Sequence, residues 1–136
     1  MYDQHTHNLN AAKGRALINL PMETLEGVPF NFRNGCHYSA GLLPLYEGSW
    51  EKAFKVLATL AEHPQVIAIG ECGFDKRSSM TIEMQTYWFE RQLLLSEKQQ
   101  KPVIIHCVHA WQQLLETHHR IPATVERIVH AFRGKP

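Results

Sequence analysis

The sequence predicts a parallel α/β fold, a sheet curled as an incomplete barrel of about six strands with helices on its outer face. Three observations predict it. Short apolar runs alternate with helix-like stretches along the chain, the order expected of parallel βαβ units. Four of those runs end in residues able to bind a metal: His5 and His7 close the first, Glu71 follows Val66–Gly70, His106 follows Val103–Ile105, and His130 follows Arg127–Val129. A parallel barrel gathers the C-terminal ends of its strands around one site, whereas an open doubly wound sheet uses the ends of only a few. Finally, a complete eight-unit barrel needs about 200 residues or more, and this chain has 136.

The elements follow in order. Residues 2–7 read as the first strand and Arg15–Leu20 as a short second one, stopped by Pro21. The stretch Glu23–Phe32 lacks periodicity and reads as loop. Cys36–Leu42 is the third strand, ended by Pro44. Trp50–Glu62 is a helix that Ser49 can cap, with one stripe of Trp50, Ala53, Phe54, Leu57, Leu60 and Ala61. Val66–Gly70 is β-branched and apolar, as a strand covered on both faces should be. A second helix spans about Thr81 to Gln99; its expected core stripe is Met84, Tyr87, Trp88, Leu94 and Leu95, with Phe89 and Leu93 on the opposite side. Val103–Cys107 forms the fifth strand, His109–Thr117 a short helix, and Glu126–Ala131 the sixth strand.

Side chains two apart on a strand point the same way, so both imidazoles of His5-Thr6-His7 can reach one ion. By the same alternation Glu71 shares a face with Ile67 and Ile69, His106 with Ile104, and His130 with Ile128. Imidazoles and a carboxylate without thiolate suit one or two divalent ions such as zinc, manganese or magnesium. Cys72 and Cys107 each follow a candidate ligand, so alternation turns them toward the helices as packing residues.

Composition excludes several classes. Hydrophobic residues make up 44% and charged residues 20%, ordinary for a globular domain, and the whole chain, 1–136, reads as a single one. A net charge of +1 carries no polybasic footprint, so any nucleic-acid contact is local. Cys36, Cys72 and Cys107 include no Cys-x-x-Cys pair, which points to a reducing cytoplasm rather than a disulfide framework. No apolar stretch reaches membrane-spanning length and no signal-peptide pattern opens the chain, so no membrane partner is expected. His118 and His119 read as solvent-facing, and His37 as either a buried hydrogen-bonder or a distant substrate contact. Lys76 and Arg77 lie on a loop over the expected site, either as solvated charges or as contacts for an anion.

Five motifs, in order, carry a resemblance: Asp3-Gln4-His5-Thr6-His7, Ile69-Gly70-Glu71-Cys72-Gly73-Phe74-Asp75, Gln85 with Phe89 and Gln92-Leu93, Pro102-Val103-Ile104-Ile105-His106-Cys107, and Val129-His130-Ala131-Phe132-Arg133-Gly134. They resemble the successive signatures of TatD-type metal-dependent hydrolases, members of the amidohydrolase-like barrels. The resemblance implies a TIM-like (β/α) barrel with one or two divalent metals and DNase or 3′–5′ exonuclease activity. It carries the metal-ligand role onto His5, His7, Glu71, His106 and His130. Asp3, beside the histidine pair, and Asp75 are expected to support the ligands rather than bind the ion.

The departures matter as much. The family's last ligand, an Asp within a Glu-Thr-Asp run after a final strand, is expected beyond Pro136, so no catalytic base is assigned within the chain and the C-terminal barrel units are expected to be missing. The family's Gly-x-His-Pro turn reads here Gly41-Leu42-Leu43-Pro44, which places a leucine where an imidazole is usual. Val108 stands where a basic residue commonly follows the fifth-strand histidine, with His109 or Arg133 as substitutes for gripping phosphate. The expected chemistry is hydrolysis of a phosphodiester by metal-activated water, with nucleic acid as substrate. The competing expectation is a truncated, catalytically inactive metal-binding fragment, or a subunit completed by self-association or by another chain, because an unclosed barrel exposes strand edges.

Overall fold

The computed structural model describes residues 3–6 and 16–130, with side chains from residue 17 onward. These residues build one six-stranded sheet: β1 (Asp3–Thr6), β2 (Ala16–Asn19), β3 (His37–Ala40), β4 (Val66–Asp75), β5 (Val103–Val108) and β6 (Arg127–Val129). The strands lie in sequential order and every neighbouring pair is parallel. Such pairing requires crossovers, and α2 (Trp50–Leu60), α3 (Ile82–Gln99) and α4 (Trp111–Arg120) supply them between β3 and β6. A short α1 (Met22–Leu25) follows β2. Among the described residues the sheet does not close, since β1 pairs with β2 alone and β6 with β5 alone.

The helix-facing side of the sheet holds the main core. Ile18, Tyr38, Val66, Ile69, Phe74, Val103 and Ile105 pack there against Ala53 and Leu57 of α2 and Phe89 and Leu93 of α3. The other side carries a smaller cluster of Leu17, Ala68 and Ile104, with Ile67 against it. Cys72 and Cys107 sit on the helix-facing side as packing residues, Cys107 by alternation with Val103 and Ile105. Burial, with Glu71 next to it, pushes the Cys72 thiol well above its usual range, and burial raises Cys107 too, so both remain protonated packing groups.

Three elements differ from the sequence reading. The stretch read as loop from Glu23 contains α1, too short to show a period; Pro21 precedes it and Glu23 sits in its first turn. Strand β4 continues to Asp75 instead of ending at Gly70, because Gly70 and Gly73 pair with Ile104 and His106 rather than breaking the ladder. Helix α3 buries a different stripe. Met84, Tyr87 and Leu94 are exposed, while Gln85, Trp88, Phe89, Gln92, Leu93, Leu95 and Ser96 are buried. Hydrophobicity misjudged the orientation because two glutamines on the buried side bond to loop backbone. Gln92 accepts from Leu42 N at 2.8 Å and donates to Leu42 O at 3.3 Å, and a buried amide whose bonds are satisfied carries little penalty. Ser49 and Thr81 cap α2 and α3 by accepting from Lys52 N and Met84 N.

Candidate functional site

The site begins with an irregularity in β4. Gly70 pairs with Ile104 and Cys72 with Ile105, so Glu71 is an extra residue in a β-bulge. The bulge changes the alternation. Ile69, Cys72 and Phe74 all face the helices, and a separate register shift against β3 between Val66 and Ala68 leaves Ile67 with the cluster on the opposite side. Glu71 therefore does not share one face with both Ile67 and Ile69, as strict alternation predicted; the extra residue lets it project with Asp75 toward the histidines. Gly73 makes the close approach to β5 feasible: its φ is +150°, and a Cβ there would collide with the His106 backbone.

The side chains then meet. Glu71 Oε2 lies 2.5 Å from His130 Nδ1, and Glu71 Oε1 lies 3.8 Å from His106 Nδ1. His106 Nε2 lies 2.8 Å from Asp75 Oδ2. Arg77 closes the chain from the solvent side, donating through Nε at 2.9 Å and Nη2 at 2.7 Å to the two Asp75 oxygens. Glu71 and Asp75 are buried, and His106 and His130 are half-buried. Burial pushes the Asp75 carboxyl upward, but the bonds from Arg77 and His106 outweigh it and hold the group well below the usual carboxylate range. An ionised carboxylate only accepts, so His106 Nε2 donates the bond to Asp75, and Nδ1 is the ring nitrogen turned toward Glu71.

Three sequence candidates, Glu71, His106 and His130, are thus brought together by β4, by β5 and by the residue just after β6. The backbone of Asp3 and His5 lies in β1, and His7 and Arg133 fall outside the described residues. His37 opens β3 at the opposite, N-terminal end of the sheet, which removes it as a substrate contact. His118 is half-buried with Nδ1 3.0 Å from Arg127 Nη1, and His119 is exposed. Lys76 is solvated. Arg77 is neither a free charge nor an open anion site, because Asp75 occupies its fork. His109 is exposed just after β5, with φ +55°. Sequence reading gave no role to Arg77 as the anchor of Asp75 or to Gln85; the i, i+2 spacing of Asp75 and Arg77 was the available signal for the first.

The family described as TatD related DNase matches residues 22–136. The chain belongs to the TatD family. It is 35% identical over 109 residues to the 3′-5′ ssDNA/RNA exonuclease TatD of Pantoea vagans, covering 73% of this chain and 39% of that protein. Against the protein of the same description from Klebsiella pneumoniae it is 37% identical over 107 residues, covering 74% of this chain and 40% of that one. The chain therefore spans about two-fifths of the length of these TatD relatives. The crystal structure of YJJV, a TatD homologue from Escherichia coli K12, superposes with a TM-score of 0.71 at 22% identity, over 90% of this chain and 50% of that one, which shows a shared fold.

The residues present fit a divalent metal in donor chemistry. A carboxylate faces two imidazoles, and one of those rings has its far nitrogen held by a second carboxylate, the arrangement that orients histidine ligands. Among the described residues no three His, Cys, Asp or Glu side chains are already spread around a common point as ligands of one ion; the donors bond to one another instead. No helix of the described residues is long and apolar enough to cross a membrane.

Proposed function

We propose that this chain belongs to a metal-dependent phosphodiesterase that hydrolyses nucleic acid, with Glu71, His106 and His130, joined by His5 and His7, as the ligands of one or two divalent ions. The observation that carries the reading is the contact of Glu71 with both His130 and His106 at neighbouring strands of one parallel sheet. The similarity to TatD proteins described as 3′-5′ ssDNA/RNA exonucleases supports nucleic acid as the substrate. A divalent ion in such a donor set polarises a phosphoryl oxygen and acidifies water. The chain's own residues supply the rest. Asp75 fixes the His106 ring, Glu71 places negative charge between two imidazoles, and exposed Lys76 and His109 offer positive or hydrogen-bonding groups to phosphate.

The test pairs binding with turnover. Calorimetric titration with Zn²⁺ and Mn²⁺ should show saturable binding that Glu71→Ala and His106→Ala abolish. Single-stranded DNA and RNA should be shortened from the 3′ end in the presence of metal and left intact with chelator once the C-terminal part of a TatD relative is supplied in trans. Metal binding with no attack on either polymer under those conditions would refute the nuclease assignment. A second reading, metal binding without turnover in a chain that a partner or a second copy completes, draws on the open sheet and on Val129, 39% exposed on its edge strand. It predicts that the chain alone associates and stays inactive.

A further inference from the structure

Helix α3 grips the loops at the sheet's C-terminal end with two buried glutamines one heptad apart. Gln92 holds both backbone polar atoms of Leu42, just beyond β3. Gln85 does the same at Asp75: its Oε1 accepts from Asp75 N at 2.9 Å, and its Nε2 donates to Asp75 O at 3.1 Å and to Met80 O at 2.9 Å. Gln85 is 2% exposed, so these bonds are dry and geometrically demanding. The two clamps are chemically alike and differ in what lies beyond them. Leu42 bears no polar side chain, whereas the Asp75 carboxylate holds His106 Nε2 at 2.8 Å.

We infer that Gln85 is a positioning residue for the site: by clamping the peptide groups on either side of the Asp75 Cα it sets the carboxylate that orients His106, so that Nδ1 faces Glu71. Arg77 alone does not define this placement. It is 64% exposed and restrains the carboxylate from the solvent side, while Gln85 restrains the backbone from the core. The functional meaning rests on the reading of His106 as a ligand, but the ring orientation itself belongs to the metal-free protein.

The experiment compares Gln85→Met with Gln92→Met, each of which removes one amide of similar burial from the same helix. Two properties are read: the side-chain ¹⁵N signals of His106 in the metal-free protein above neutral pH, and the affinity for Zn²⁺. Wild type should show one tautomer, with the proton on Nε2. Both variants should melt at lower temperature than wild type, but only Gln85→Met should mix the His106 tautomers and weaken Zn²⁺ binding about tenfold, the lower end of what loss of a ligand-orienting group produces. Wild-type ring signals in Gln85→Met overturn the proposal and leave Gln85 a packing residue. Altered ring signals with no Zn²⁺ binding by the wild type uphold the positioning and refute the metal reading instead. Should Gln85→Met not fold, Gln85→Glu, which keeps the acceptor for Asp75 N and removes both donors, is read in the same way. Failure of both to fold beside a folded Gln92→Met assigns Gln85 to folding and overturns the inference.

Discussion

The two faces of the sheet do different work with the same strands. On the helix side, β4 presents Val66, Ile69, Cys72 and Phe74 to a continuous apolar core. On the other side the same strand presents Ala68 to a small cluster and then, toward its C-terminal end, Glu71 and Asp75 to the histidines. Strand alternation alone would separate the two sets, but the bulge at Glu71 is what lets a charged residue leave the ladder beside an uninterrupted core face. Stability and the proposed chemistry thereby fall on opposite faces of one strand. Mutations on the first should act on folding, and mutations on the second on binding.

The sharpest break of that division should come from Phe74→Ala. Phe74 is fully buried and meets Phe89 edge to face at 5.3 Å. Its truncation should cost about 3–5 kcal/mol, read as a lower urea midpoint with unchanged slope, and any metal binding should vanish only with the fold. An unfolding free energy within 1 kcal/mol of wild type, a margin set against the usual spread of core truncations at roughly 2–5 kcal/mol, would mean that the helix-facing core is not where stability resides.

Gly73→Ala tests the seam between the faces. A methyl group at φ +150°, against the His106 backbone, should destabilise by roughly 2 kcal/mol, through backbone strain of order 1–3 kcal/mol. It should also shift the His106 and Asp75 resonances in NMR spectra, because β4 and β5 must part there. Unperturbed His106 signals would show that close strand approach is not needed for the site.

Glu71→Gln keeps the shape and removes the charge. The expected outcome is loss of divalent-ion binding in calorimetry with a smaller drop in melting temperature than Phe74→Ala produces. Equal drops in melting temperature would erase the proposed distinction between the faces.

The smallest effect concerns a tether on the helix side. Glu97 of α3 accepts from Thr124 Oγ1 at 2.6 Å and from Thr124 N at 3.0 Å, with Arg127 of β6 nearby, and the Thr124 hydroxyl leads in holding its carboxyl below the usual range. A depressed folded-state pKa contributes stability that is fully present above the unfolded value, about 4.3 for Glu, and is lost as pH falls through the folded value. Wild type should therefore lose melting temperature on acidification below about pH 4.3 more steeply than Glu97→Gln, and the site's ring signals at neutral pH should be the same in both. Parallel acid limbs would remove Glu97 from the stability balance.

Legibility in the sequence followed how local each signal was. The β-branched runs at Val66 and Val103 and the capped stripe after Ser49 are local, and each became the expected element. The face of α3 was not local. Met84, Tyr87 and Leu94 look like core residues only until Gln85 and Gln92 find backbone partners, and those partners, Asp75 and Leu42, precede the two glutamines by ten and fifty residues. The placement of Glu71 was half legible. Its residue type and its position at a run's end named it, but the bulge that aims it exists only in pairing with β5.

The sequence by itself determined the parallel βα order, the TatD membership and the residue types that could bind a metal, because hydrophobic period, turn residues and short motifs are properties of contiguous chain. Only the tertiary structure decided that Asp75 holds His106, that Arg77 is committed to Asp75, and that two glutamines set the orientation of α3. Apart from the local Asp75–Arg77 pair, these are hydrogen bonds between residues that share no period, and their geometry exists only once the strands and helices have packed.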